Sequence, residues 1–320
     1  MNNAKQRNPH FDDGRIHWSD EYSGLYDPPP AYETEFDTQW HMALEGQRGF
    51  ANTAADIDEL HIDDLIFETT GKHPKGSGYS DFEPGSRVLD KPLDPALILG
   101  KNCADAGCGL GRWTRLMQRL GAASVTSFDA SPSAVASVKR VNPNAYQTNI
   151  MRLAELHPEW IGQFDFVICW GVVHHTHDPA LAFRNVAALV KPETGVLYLA
   201  AYAIGGIHDL AITNTTRRIY HSLPNAAEKA RFNRNVAERR WDWRLPLIEN
   251  LHYVQRNLRR LPKSRAIGVQ DMHDPFYNWV IPFDVLKGWF DKAGFRELAH
   301  LNENQNPRPL NHVLGLHKRA

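Results

Sequence analysis

The 320-residue sequence predicts an α/β fold, a doubly wound parallel sheet with helices on both faces. Three features point there. Short apolar runs alternate with helical periodicity between residues 101 and 202. A glycine-rich turn follows the first run. Another run, Phe164–Val172, is apolar almost throughout, as a strand covered on both faces must be.

Lys101–Asp105 reads as the first strand, ending at an acid and followed by Gly107-Cys108-Gly109-Leu110-Gly111. Trp113, Leu116, Met117 and Leu120 then recur at helical spacing until Gly121 ends the helix. Ser124–Asp129 is the second strand. Ser131-Pro132 supplies an N-cap hydroxyl and a proline at the first helical position, and Val135, Val138 and Val141 continue that helix. Ala145–Thr148 reads as a third, weak strand and Phe164–Val172 as the fourth. Asp178 caps the next helix, whose inner face is Ala182, Phe183, Val186 and Val190. Lys191-Pro192 stops it, and Gly195–Tyr202 is the fifth strand. Phe283–Ala293 carries Val285, Leu286, Trp289 and Phe290 at amphipathic spacing, and strand-like pieces at Glu297–Leu301 and His312–His317 follow.

These boundaries divide the chain into an N-terminal extension (1–95), a core (96–204), a mainly helical insert (205–275) and a C-terminal completion of the core sheet (276–320). The 36 basic and 37 acidic residues nearly cancel, which argues against a broad nonspecific polyanion binder. That balance hides an acidic head, with 8 Lys/Arg and 19 Asp/Glu in residues 1–100, and a basic insert, with 13 and 4 in residues 217–265. Three cysteines form neither a disulfide framework nor a CxxC pair, so a reduced cytosolic compartment is expected. The longest apolar candidate, Val196 to Ile204, falls well short of the roughly 20 residues a spanning helix needs. Met1 to His10 is polar and lacks the apolar centre of a secretory signal, so a cytoplasmic chain is expected.

The passage from Cys103 to Gly111 carries the most chemistry. A glycine turn after a strand lets a ligand lie against the backbone, and the following helix aims its N-terminal amides at it. Asp129 ends the next strand, where a carboxylate can accept both hydroxyls of a ribose. An adenosine-type cofactor at the carboxyl edge of a parallel sheet is implied. The dinucleotide fingerprint fails in both registers. Counted from Gly107 the sixth position is the bulky Arg112, and counted from Gly109 it is Thr114. Asp105 at the loop entrance would repel a pyrophosphate but could receive an ammonium, which favours S-adenosylmethionine over NAD.

Asp105-Ala106-Gly107-Cys108-Gly109-Leu110-Gly111-Arg112 resembles the first motif of the class I S-adenosylmethionine-dependent methyltransferases. The resemblance covers about residues 100–202, and Phe283–Phe295 is similar to the family's late helix and AGF turn. It implies a seven-stranded Rossmann-like sheet whose last strand is antiparallel. It also implies a cofactor site of Asp105, Gly107, Cys108, Gly109 and Gly111 with Asp129 and Ala130 at the ribose. Asn149-Ile150 stands where the family has an acid and an apolar residue near the adenine, and the Asn side-chain oxygen could still accept the adenine amino group. The stretch from Cys169 to Pro179 resembles the fourth-strand motif of the branch that includes the quinone-biosynthesis methyltransferases, placing Trp170 and Gly171 near the transferable methyl. Lys191-Pro192-Glu193-Thr194-Gly195 is similar to that branch's LKPGG turn.

His174, within a turn of Gly171, is the candidate general base, with packing or substrate orientation as the alternative. His174, His175 and His177 cluster near Asp178, but no zinc spacing accompanies them and no metal is expected. Cys108 reads as a space-filling residue. Tyr32–Trp40 resembles an F-x-x-Q-W segment found ahead of the core in some members, which gives Phe36 and Trp40 a lid role or ordinary packing. In the insert, Arg217-Arg218, Arg239-Arg240 and Arg259-Arg260 are paired, and Trp241 and Trp243 lie among them as candidate substrate or lid residues. Such a surface could meet a phosphate, a carboxylate or RNA, or pair with the acidic head. The expected function is methyl transfer to O, N or C of a small-molecule metabolite. RNA modification and a non-catalytic cofactor-binding protein are the alternatives, and the sequence does not specify an oligomeric state.

Overall fold

The computed structural model describes residues 17–18, 36–37, 40, 69, 71–72, 87, 89–205, 211–260, 266–306 and 310–317. Most of the N-terminal extension therefore lies outside the described residues. Seven strands form the main sheet: β2 (Asn102–Ala106), β3 (Ser124–Asp129), β4 (Ala145–Gln147), β5 (Phe166–Trp170), β6 (Val196–Tyr202), β8 (Phe295–His300) and β9 (Leu310–His317). Their order is β4-β3-β2-β5-β6-β9-β8, with β9 antiparallel to both of its neighbours. A separate two-stranded pairing joins β1 (His17–Trp18) to β7 (Trp279–Val280), antiparallel. The expected sheet, its last strand reversed, is thus the observed one.

The order places the ends of β2, β3, β4, β5 and β6 along one carboxyl edge and switches direction between β2 and β5, the usual ligand crevice of such sheets. Period-2 alternation divides the core between the two faces. Phe166 and Ile168 pack with Cys103, Val125 and Trp113, Leu116 and Met117 of α1 (Arg112–Arg119). Val167 and Cys169 pack instead with Phe183 of α4 (Pro179–Leu189) and with Leu286 and Phe290 of α9 (Phe283–Lys292). Leu89 and Leu93 join the α1 face, so packing of the core begins before residue 96.

Caps fall where the sequence places them. Ser131 Oγ accepts the Ala134 N–H at the start of α2 (Pro132–Lys139), and Asp178 Oδ1 accepts the Leu181 N–H at the start of α4. Helix α2 ends at Lys139, short of the expected Val141. The fourth strand is also shorter than expected. Gly171 takes φ +78° and turns the chain out of β5, so the strand stops at Trp170 and Val173–His175 forms a 3-10 turn. A short α3 (Leu153–Leu156) lies between β4 and β5.

The insert is helical, as expected: α5 (Ala211–Ser222), α6 (Ala226–Glu238), α7 (Leu247–Leu258) and α8 (Ala266–His273). Its interior is unusually polar. His273 bonds Asn233 Oδ1 at 2.7 Å and Thr216 Oγ1 at 2.9 Å, and Asn233 also donates to Gln270. Arg217, fully buried, donates at 2.5 Å each to the carbonyls of Met272, in the last turn of α8, and of Pro275, just past it. Neither alternative weighed for the insert's paired arginines describes Arg217: its guanidinium satisfies carbonyls at the end of α8. Arg239 is buried too, while Arg244 pairs with Glu228 and Asp242, and Arg240 with Glu238. Several of the insert's arginines are thus engaged within the insert itself.

Replacing Arg217 with Met strands those buried carbonyls, at about 1–3 kcal/mol each. Urea unfolding of Arg217→Met should show a loss of about 3 kcal/mol, whereas the exposed Arg259→Met stays within about 0.5 kcal/mol of the parent. Equal effects from the two would contradict the assignment.

Candidate functional site

The glycine loop leaves β2 with Gly107, Gly109 and Gly111 at φ +77°, +50° and +89°, conformations that L side chains rarely adopt. Gly107 and Cys108 donate their N–H groups to Phe128 O at 2.8 and 3.0 Å, holding the loop against the end of β3. Asp129 completes the link. Its Oδ2 accepts the Gly109 N–H and its Oδ1 the Ser131 N–H, both at 2.9 Å. The expected ribose acid therefore also fixes the loop and the start of α2, with carboxylate lone pairs to spare.

Asp105 is buried at the end of a hydrogen-bonded chain. Thr114 Oγ1 donates to Asp105 Oδ2 at 2.7 Å and lies 2.7 Å from Ser127 Oγ, which accepts from Asn142 Nδ2. Thr114, which spoils the dinucleotide fingerprint, is thus needed as a hydroxyl. Burial pushes the Asp105 carboxyl up to about 7, and the nearby Asp129 charge adds to this while the Thr114 bonds oppose it. Burial also raises Asp129, with Asp37 contributing. Cys108 packs with Val135, Val138 and Ala145, and burial raises its thiol well above the ordinary range, so it is unreactive space-filling.

One turn of the N-terminal extension lies over this loop. Trp40 N–H donates to Phe36 O at 3.0 Å. The Trp40 ring covers Gly109 so closely that a Cβ there would sit 2.8 Å from its Cζ2. Asp37 Oδ1 accepts the Ser131 hydroxyl at 2.6 Å and the Ser133 N–H at 3.1 Å. The Phe36 ring lies 5.0 Å from that of His175. Phe36 and Trp40 are therefore brought to the site. Asp37 was missed by sequence reasoning, although its place between two flagged aromatics was the available signal.

At the end of β5 the Arg112 guanidinium sits 4.9 Å from the centre of the Trp170 ring. His174 is fully buried and stacks on Tyr202 at 3.7 Å. Its Nδ1 accepts the Tyr202 N–H at 3.3 Å, which directs the neutral ring's proton to Nε2. The Nδ1 lone pair is thus engaged by the backbone, an arrangement that fits the packing alternative for His174. His175 has the opposite arrangement, with Nδ1 donating to Tyr277 O at 2.9 Å. Burial, with a smaller contribution from the Arg217 charge, depresses its pKa to about 3. Among the described residues no group of three or more His, Cys, Asp or Glu could hold a metal ion.

Near the expected adenine position, Asn149 Oδ1 accepts the Met151 N–H at 2.8 Å, Ile150 is buried in the core, and Ala130 O accepts from Gln147 Nε2. Thr148 Oγ1 and the indole nitrogens of Trp40 and Trp170 are buried without a hydrogen-bond partner among the described residues. Trp241 and Trp243 are not brought here. They are 57 % and 80 % exposed on the insert surface, Trp243 against Arg244.

The contact of Gly107 with the chain after β5 gives a test. A Cβ at Gly107 would lie 2.3 Å from Val172 Cγ2, on a backbone already at φ +77°. Gly107→Ala should cost about 1–3 kcal/mol in urea unfolding. Adding Val172→Ala should recover part of that loss, and no recovery would contradict the contact.

A family model described as a methyltransferase domain matches residues 83–265, more than half of the chain. A ubiquinone biosynthesis O-methyltransferase of Sodalis glossinidius (strain morsitans) is 37 % identical over 129 residues, 37 % of this chain and 50 % of that protein. A tRNA U34 carboxymethyltransferase of Campylobacter concisus (strain 13826) is 30 % identical over 151 residues, 46 % of this chain and 51 % of that one. The chain spans about half the length of the curated relatives it matches. A solved S-adenosylmethionine-dependent methyltransferase from Mesorhizobium loti aligns at 16 % identity and a TM-score of 0.40, over 69 % of this chain and 96 % of that one. With its family model, seven-stranded sheet and glycine loop, the chain belongs to the methyltransferase-domain family of the class I S-adenosylmethionine-dependent superfamily.

Proposed function

We propose that this chain transfers a methyl group from S-adenosylmethionine to a small-molecule acceptor, at O, N or C, with a hydroxyl oxygen preferred. The observation that carries the reading is the set of carboxylates Asp37, Asp105 and Asp129 around a glycine loop, where Asp37 raises the pKa of Asp129 and Asp129 that of Asp105. Such a site suits a ligand with sulfonium and ammonium charges and repels the pyrophosphate of a dinucleotide. The buried, unpartnered Trp40 and Trp170 N–H groups and the Thr148 hydroxyl offer further polar contacts at the same edge. The relatives named as O-methyltransferases support oxygen as the acceptor atom.

When bound, the cofactor supplies an electrophilic methyl group on a sulfonium. Asp105 would face its ammonium, Asp129 its ribose hydroxyls, and Asn149, Ile150 and Ala130 would border the base. Gly107, Gly109 and Gly111 give the backbone its close approach. Trp40 and Phe36 cover the pocket and exclude water, and the protein's contribution is alignment for in-line displacement. The three buried free cysteines support a reducing, cytoplasmic setting. Among the described residues no helix is long and apolar enough to cross a membrane.

Asp105 gives this reading a pH signature. With no cation beside it Asp105 holds its proton up to about pH 7, whereas a cationic ligand requires the carboxylate. Cofactor affinity should therefore be full above pH 7 and fall by about tenfold at pH 6, with a proton released on binding. Calorimetry in buffers of different ionisation heat measures both. An Asp105→Asn variant should bind weakly with a flat profile, and a wild-type affinity that rises on acidification would contradict the assignment.

A second reading, RNA modification, draws on the exposed Trp241, Trp243, Arg259 and Arg260 and on the relatives named as tRNA carboxymethyltransferases. The internal pairing of Arg217, Arg240 and Arg244 favours the small molecule. Filter binding of a bulk tRNA across 50–200 mM salt separates the two. Weak, salt-insensitive binding is expected, and a steep log–log slope would favour RNA.

A further inference from the structure

We infer that His175 is the residue that meets the acceptor, its Nε2 receiving the hydrogen bond of the hydroxyl that becomes methylated. The inference rests on the methyltransferase reading and adds to it the group that orients the nucleophile.

Two observations locate His175. Trp40 lies on Gly109 in the cofactor loop, and Phe36, hydrogen-bonded to Trp40 across one helical turn, lies on the His175 ring. One turn advances about 5.4 Å, so the loop and the imidazole stand at the two ends of a single short cover. The ring also borders Tyr202, at the carboxyl end of β6, with centroids 5.1 Å apart and planes at 88°. His175 thus occupies the carboxyl edge between β5 and β6, beside the cofactor loop and beneath Phe36.

The ring's protonation state is set by the backbone. The Tyr277 carbonyl accepts from Nδ1, so the neutral ring carries its proton there and presents a lone pair at Nε2. The neighbouring His174 ring, 4.3 Å away, is fixed in the other tautomer by the Tyr202 N–H. The two histidines are therefore not interchangeable. Burial and the Arg217 charge keep His175 neutral, so its lone pair is always available.

In the step itself the acceptor oxygen forms a bond to the methyl carbon, and the electron pair of the methyl–sulfur bond stays on sulfur. The hydroxyl proton, strongly acidic once the oxygen carries the methyl group, passes to Nε2. It leaves to solvent when the product departs. A protonated ether gives up its proton even to a weakly basic ring, whereas a methylated ammonium holds its own.

The test uses the full chain, labelled with 15N at histidine, loaded with S-adenosylhomocysteine and titrated with phenol as the hydroxyl probe. The His175 resonances, identified by their loss in His175→Asn, should report an Nδ1-protonated ring whose Nε2 signal moves as phenol is added. Phenol affinity should fall about tenfold in His175→Phe, which keeps a ring and loses the lone pair, and be largely kept in His175→Gln. An Nε2-protonated ring, or an Nε2 signal indifferent to phenol, overturns the inference. Failure of the parent chain to bind S-adenosylhomocysteine would instead overturn the underlying reading.

Discussion

The Asp129 carboxylate is the constraint on which the site depends. It receives the Gly109 N–H from the glycine loop and the Ser131 N–H from the start of α2. One side chain thus joins the ends of β2 and β3 to the cover, because Ser131 in turn donates to Asp37. Burying that carboxylate costs free energy, which shows as a raised pKa despite the amide bonds. The nearby Asp37 charge adds to that cost, and Asp129 in turn raises the buried Asp105. A fold that accumulates negative charge at one edge is prepared for a positive ligand. The energy lost in the empty site becomes differential affinity when a cation enters.

In the proposed reading the same edge links cofactor and acceptor. Trp40 touches the glycine loop and Phe36 touches His175, while Asp37 bonds the start of α2. Under that reading, water exclusion at the loop and orientation at the imidazole share one element. A short strap suffices because the sheet already brings the ends of β2, β5 and β6 together.

The parallel sheet was legible because its signals are local. Ser124–Asp129, the Ser131-Pro132 cap and the Asp178-Pro179 cap all match the structure, since periodicity and capping act within a few residues. The fourth strand was read too long because Gly171 can continue a strand or leave it, and only its φ of +78° decides. The site was legible where a motif carried it, at Asp105, the glycines and Asp129. Tautomers were not, because they depend on partners distant in sequence: Tyr202 lies 28 residues from His174, and Tyr277 lies 102 from His175. The insert's charge misled for a related reason. Composition counts Arg217 as a surface cation, yet the fold turns it inward onto helix-end carbonyls.

The central claim is that the carboxylate-lined loop is built for S-adenosylmethionine. Calorimetry of the parent chain and of Asp129→Ala, with S-adenosylmethionine and NAD as ligands, tests it most directly. The account predicts binding of S-adenosylmethionine alone by the parent, and an affinity lower by at least about tenfold in the variant, as loss of charge-assisted bonds requires. Equal affinity in the two proteins, or preferential binding of NAD, would contradict it.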